Sequence, residues 1–389
     1  MKNSDFYRAL HTTFKNEEIT GRYITNRHLD SWLEFKHKNE IFSILGYSVL
    51  GKPIYQCQIG SGNIKLLIWS QMHGNESTTT KAVVDFITFV TSDNVIAKKF
   101  RDVFTFKIIP ILNPDGAESY TRVNANGIDL NRDFVDLSQP ESRLLMDLFA
   151  SFSPDYCFNM HDQRTIFSVG DTGKPATISF LAPSFNDGCD INATRERAMQ
   201  IIVDLNKVLQ QYIPGQVGRF DDSYNRNCVG DTFQTLGKST ILFEAGHYQD
   251  DYEREVSREV VFISLLASCD SIINKTYLDN RIALYLNIPQ NKTLFYDIVY
   301  KNVKINYDGN EICSIFAAQY KEVLQGDSIV LIPYISDVNV PENVRGHVEY
   351  DGEFALFRDN YGNYPVENRL ANFRIGEKRY LNGVLIDGK

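Results

Sequence analysis

The 389-residue sequence contains no run of 18 apolar residues, so no transmembrane helix and no membrane partner are expected. No two cysteines form a CxxC. The six, at positions 57, 157, 189, 228, 269 and 313, are too sparse for a disulfide scaffold and read as thiols of a reducing compartment. The opening residues MKNSDFYRALHTTFKNEE lack the apolar stretch of a signal peptide, so a cytoplasmic location is expected. Positive charge is not in excess either. Forty Lys and Arg face 49 Asp and Glu, a net charge of −9, which argues against nucleic acid as the main partner. Repeats and low-complexity tracts are missing, which sets solenoids and propellers aside.

What is present suits a large core. Hydrophobic residues make up 43% and charged residues 23%, with 25 Phe and 21 Tyr among them. The length allows two or three domains. Phe6–Leu10 and Leu29–Phe35 have helical spacing within an otherwise polar N-terminal stretch. Ile64–Trp69 is a short apolar run of the kind that forms a strand covered on both faces, and Thr78–Val90 follows with helical periodicity. A second apolar run, Val103–Leu112, ends at the turn Asn113-Pro114-Asp115-Gly116. Further helices are expected over 141–152, 192–211 and 252–275, and further strands over Tyr156–Met160 and Thr240–Phe243. Strands alternating with helices imply an α/β fold with a mixed, mostly parallel sheet flanked by helices. Near residue 287 the texture changes to short alternating strands (Leu294–Val299, Ser328–Pro333, His347–Tyr350, Glu353–Arg358), with turns at Asp308-Gly309, Asp351-Gly352 and Tyr361-Gly362-Asn363. Two domains are therefore expected: 1–286, catalytic with an N-terminal helical extension, and 287–389, small and all-β.

Open α/β sheets place ligands at the carboxyl ends of strands, so the polar residues just after each apolar run matter most. Those ends supply His73 and Glu76, then Arg122 and the cluster Asp129-Leu130-Asn131-Arg132, then His161 and Asp162, then Glu244. His73 and Glu76, three residues apart, can reach one metal ion, and His161 completes a His₂Glu set with a fourth position open for water. Glu244 is a general-base candidate, Arg122 an oxyanion partner, and Asn131 with Arg132 suits a substrate carboxylate. Each residue alone has a plainer reading. A single HxxE occurs by chance on exposed helices, His161 could cap a strand end, and Glu244 could start a surface loop. His247 is a rival third ligand, and Arg132 between Asp129 and Asp133 could form a structural ion pair. The coincidence at four strand ends is what favours a site.

The ordered set His73-Gly-Asn-Glu76, Asn113-Pro-Asp-Gly116, Arg122 and Asn124-Ala-Asn-Gly-Ile-Asp-Leu-Asn-Arg132 resembles the zinc carboxypeptidases of the carboxypeptidase A type, over roughly residues 45–275. The resemblance implies one zinc ion per chain held by His73, Glu76 and His161, with Asp129 orienting the first histidine. It implies that Arg122 polarises the scissile carbonyl, that Asn131 and Arg132 grip the terminal carboxylate, and that Glu244 is the base. A loop tyrosine that closes over substrate in that family is matched by Tyr224 in Asp222-Ser223-Tyr224-Asn225. For the residue facing the terminal side chain, counting from Tyr224 gives Asp231 and counting back from Glu244 gives Val229, and the choice stays open.

Two features depart from the family. Asp133 follows the Asn-Arg pair, and a β-rich region follows the core. The latter is similar to the aspartoacylase and succinylglutamate desuccinylase group, which cleaves small N-acyl amino acids. The expected function is thus removal of a C-terminal residue from a peptide. An amidohydrolase of N-acyl amino acids and an inactive carboxylate-binding homologue are the alternatives.

Overall fold

The structure is a computed structural model that describes residues 4–37, 41–275, 281–307 and 309–387. The chain divides into two compact units, Met1–Gln163 with Ala176–Asn291, and Arg164–Pro175 with Lys292–Lys389.

The first unit is built on an eight-stranded sheet. Its strands are β1 (Phe42–Tyr47), β2 (Pro53–Ile59), β3 (Ile64–Ser70), β4 (Phe104–Ile109), β5 (Tyr156–Asp162), β7 (Ile178–Leu181), β8 (Val217–Arg219) and β9 (Ser239–Ala245), in the order β1-β2-β4-β3-β5-β9-β7-β8. The four central strands, β4, β3, β5 and β9, run parallel, while β1–β2, β2–β4 and β7–β9 are antiparallel. Strand β3 shows why a continuous apolar run was needed. Leu66 and Ile68 enter one core, with α1 (Ser4–Phe14), α3 (Thr78–Val90), α7 (Ala193–Leu209) and α9 (Glu255–Asn274), while Leu67 and Trp69 enter the other, with α6 (Pro140–Phe152) and α8 (Val229–Thr235). The N-terminal extension is tied down by a buried cation. Arg258 on α9 binds Asp85 of α3 through two 2.7 Å bonds and donates to the carbonyls of Asn16 and Ile19.

Local departures from the sequence reading have identifiable causes. The run from Val103 holds two elements, because Val103 closes the amphipathic helix α4 (Val95–Val103), capped by Asn94, and only then does β4 begin. Asn113 does not merely turn the chain; its side chain caps a short helix, α5 (Pro114–Ser119). Helix α9 starts at Glu255, later than expected, since Arg254 takes a left-handed φ of 57°. Helix α2 (Asn26–His37) falls where spacing indicated, but β1 and β2 went unread. β1 is an edge strand, exposed along much of its length, without a clean alternation.

The second unit contains strands and no helix among its described residues. β6 (Phe167–Val169) pairs with β10 (Asn291–Thr293). β11 (Phe295–Tyr307), β12 (Asn310–Gln325), β13 (Ser328–Asp337) and β14 (Arg345–Asp351) form one sheet, and β15 (Phe357–Arg358), β16 (Phe373–Ile375), β17 (Lys378–Leu381) and β18 (Val384–Asp387) another. Tyr300, Phe316, Phe357 and Phe373 form its core. The strand expected over Glu353–Arg358 shrinks to Phe357–Arg358, because Glu353 and Phe354 adopt left-handed φ values of 52° and 59° and make a turn. Asp308 of the expected Asp308-Gly309 turn lies outside the described residues.

Candidate active site

Strand β3 ends at Ser70, and the chain turns through Gln71, which is buried with φ 49°. Few non-glycine residues hold that conformation, and here the side chain supports it. The Gln71 amide donates to the carbonyls of Ile24 and Gly74 and accepts from the Thr80 hydroxyl. Gly74 then packs against the Asn113–Gly116 segment. A Cβ at Gly74 would stand 1.9 Å from the Gly116 carbonyl carbon, and one at Gly116 would stand 2.5 Å from Asn113 Nδ2. Asn113 also donates to the Met72 carbonyl. The two motif glycines are thus needed for the close approach of two loops.

This packing projects His73 and Glu76 toward His161, at the end of the neighbouring strand β5. His73 Nδ1 lies 2.8 Å from Glu76 Oε1 and 3.1 Å from His161 Nδ1, which lies 2.9 Å from Glu76 Oε2. Among the described residues these three form the only cluster with metal-ligand geometry. Donors held by a tetrahedral zinc at about 2.0–2.1 Å stand about 3.3–3.4 Å apart, so the set needs little adjustment to fit that ion. Asp129 accepts from His73 Nε2 at 3.0 Å, which leaves His73 Nδ1 as the nitrogen facing the cluster. His161 Nε2 is buried with no hydrogen-bond partner, so no such contact fixes that ring.

Charge in the cluster is mutually arranged. Burial alone would raise Glu76, but His73 and His161 hold its carboxyl well below the usual range. Asp129 is likewise held down, against burial, by His73 and Arg122. Arg122 donates from Nε to Asp129 at 2.9 Å and brings Nη1 within 3.2 Å of His73 Nδ1 and 3.3 Å of Glu76 Oε1. Glu244, on β9 beside His161, is pushed well above the ordinary carboxylate range by burial and by the Glu76 and Asp162 carboxylates.

Asn131 and Arg132 lie on a 3₁₀ turn, Leu130–Arg132, capped by Asp129. Asn131 Oδ1 accepts the Val229 N–H at the start of α8, and Arg132 Nη1 donates to the Asn131 carbonyl and lies 3.1 Å from Cys228 Sγ. Asp133 turns the other way and accepts from Ser138 and Gln139, so its carboxylate serves the turn into α6. Tyr224 stands apart from the cluster, its hydroxyl 3.4 Å from Thr235 Oγ1 at the far end of α8. His247 is buried and faces the Tyr252 ring at 4.6 Å. Both Asp231 and Val229 are buried on α8, and burial pushes Asp231 up to about 7. Gln71 and Cys228 carried no sequence signal; neither belongs to a spacing pattern.

Residues 32–164 match the family described as zinc carboxypeptidase. "Probable carboxypeptidase 2" of Trichophyton verrucosum is 26% identical over 188 residues, 47% of this chain and 34% of that protein. "Carboxypeptidase 2" of Trichophyton rubrum is 31% identical over 188 residues, 47% of this chain and 33% of that one. The chain therefore spans about a third of the length of these curated relatives. Among solved structures, a putative carboxypeptidase A from Shewanella denitrificans superposes with a TM-score of 0.54 at 18% identity, covering 65% of this chain and 70% of that one, a likeness of fold. The likeness to zinc carboxypeptidases read from the motifs is shown, and the amidohydrolase and inactive alternatives are not favoured.

Proposed function

From the premise that residues 32–164 carry a zinc carboxypeptidase match, we propose that this chain is a zinc-dependent hydrolase that removes the C-terminal residue from peptides. The observation that carries the reading is the His73–Glu76–His161 cluster beside Glu244, with Arg122 reaching into it. His73, Glu76 and His161 would hold one zinc ion, with Asp129 orienting His73. When bound, zinc supplies Lewis acidity, which lowers the pKa of a water molecule and polarises a carbonyl. Glu244 takes the proton of the attacking water and delivers it to the leaving amine. Arg122 donates to the oxyanion that develops on the last peptide carbonyl. Asn131 and Arg132 grip the terminal carboxylate and so restrict cleavage to the chain end.

The proposed division of labour assigns catalysis to residues 1–286 and leaves 287–389 as a small β-rich domain. A cytoplasmic setting belongs to the same reading and is supported by the free thiols of Cys157, Cys189, Cys228, Cys269 and Cys313. Among the described residues no helix is long and apolar enough to cross a membrane. Purified protein with zinc, incubated with peptides of varied C-terminus and with N-acyl amino acids, tests the function by mass spectrometry of the products. Release of single C-terminal residues at a rate that depends on the preceding residue is expected. Cleavage of N-acyl amino acids alone would contradict it.

A further inference from the structure

Helix α3 starts immediately after the ligand loop, and its first N–H groups need acceptors. Its N-cap residue, Ser77, makes no side-chain capping bond, because the Ser77 hydroxyl donates to the Arg22 carbonyl at 2.6 Å. The acceptor comes from 84 residues away. Asp162 Oδ2 accepts the Thr78 N–H at 2.8 Å and Oδ1 accepts the Thr79 N–H at 3.1 Å. Asp162 also donates its own backbone N–H to Glu76 Oε2 at 3.1 Å, the oxygen that faces His161. One residue thus touches the helix that follows one ligand, the carboxylate of that ligand, and the strand that carries the next.

We propose that Asp162 is a positioning residue for the metal centre. By capping α3 from the end of β5, it fixes Glu76 and His161 relative to one another, and the affinity for zinc depends on it. The inference rests on the zinc reading above. Two charge-assisted bonds at a helix N-terminus, where the helix dipole favours an anion, make the joint stiff. Its side chain is buried, so water does not compete freely for the two N–H groups. An ordinary cap would stabilise the helix and leave the metal alone. Asn94 provides that control, since it caps α4 through the Ile96 N–H, far in the sequence from any ligand.

The test is zinc affinity of the metal-stripped full chain, measured by competition with a chromophoric chelator, with thermal unfolding and the visible spectrum of the cobalt-substituted protein alongside. Asp162→Ala is expected to weaken zinc binding about 10–100-fold and to alter the cobalt spectrum. Asp162→Asn keeps one acceptor oxygen and the backbone donor, so an intermediate loss of about 3–10-fold is expected. Asn94→Ala should lower Tm by a few degrees and leave zinc affinity within about twofold. Asp162→Ala with wild-type affinity and spectrum would overturn the inference, as would an equal loss in Asn94→Ala. Should Asp162→Ala fail to fold, Asp162→Asn decides, and wild-type affinity there overturns it. A wild-type chain that binds no zinc overturns the zinc reading itself, whereas zinc bound equally by wild type and both Asp162 variants overturns this inference alone.

Discussion

The metal-ligand cluster and the arginines proposed to meet the substrate are built differently. His73, Glu76 and His161 are buried at or just beyond strand ends, and their atoms lie 2.8–3.1 Å apart. Arg122 and Arg132 are exposed and lie outside the strands; Arg122 reaches Asp129, His73 and Glu76, and Arg132 reaches the Asn131 carbonyl and Cys228. The metal side is thus buried beside the sheet and its packed loops, whereas the proposed substrate side is exposed. Such a division suits the proposed hydrolase, whose reacting centre would be preorganised while the groups that meet the chain end face solvent.

The contrast can be broken at either side. The largest effect is expected from Glu244→Gln, which removes the base and leaves the three ligands. kcat should fall about 10²–10⁴-fold with zinc content unchanged in metal analysis, and a near-normal kcat would remove Glu244 from that role. Arg132→Ala should act on binding more than on chemistry. KM for peptides with a free carboxylate is expected to rise about 10–100-fold, the loss of a charged hydrogen bond, and an unchanged KM in steady-state assays would take Arg132 out of the carboxylate site.

A third variant concerns pH. Burial raises Asp231 to about 7 from an ordinary value of 3.8, although backbone hydrogen bonds from Asn225 and Ser184 oppose the shift. The folded state then holds a proton that the unfolded chain has released, so stability falls as pH rises from about 4 to about 7 and stays lower above that. Asp231→Asn is expected to flatten this slope, by roughly 2–4 kcal/mol between the two ends. Parallel Tm–pH curves for variant and wild type would show that the carboxyl is not raised. The smallest effect is expected from Tyr224→Phe. With the hydroxyl at Thr235, kcat/KM should change no more than about threefold, the worth of one exposed hydrogen bond. A much larger loss would show that the loop swings the hydroxyl toward the His73–Glu76–His161 cluster.

The same contrast explains what could be read without coordinates. Ile64–Trp69, Thr78–Val90 and Tyr156–Met160 were legible because a strand covered on both faces, or the helical spacing of large apolar residues, leaves a pattern in the residues themselves. Their ends pointed to His73, Glu76 and His161, and the end of Thr240–Phe243 to Glu244. The edge strand β1 and its neighbour β2 were not legible, since partly exposed strands tolerate mixed residues. Nor was the role of Asp162, which arises from hydrogen bonds across 84 residues and has no local signature. Tyr224 shows the limit from the other side: a spacing within a loop fixes neither where its hydroxyl points nor what it touches.

The most direct measurement is a zinc titration of the chelator-stripped chain with a peptide substrate, followed by mass spectrometry of the released residue. Release should be absent without metal, rise to a plateau at one zinc per chain, and disappear when the peptide carries a C-terminal amide. Release by the metal-free protein, or equal cleavage of the amidated peptide, would contradict a zinc carboxypeptidase.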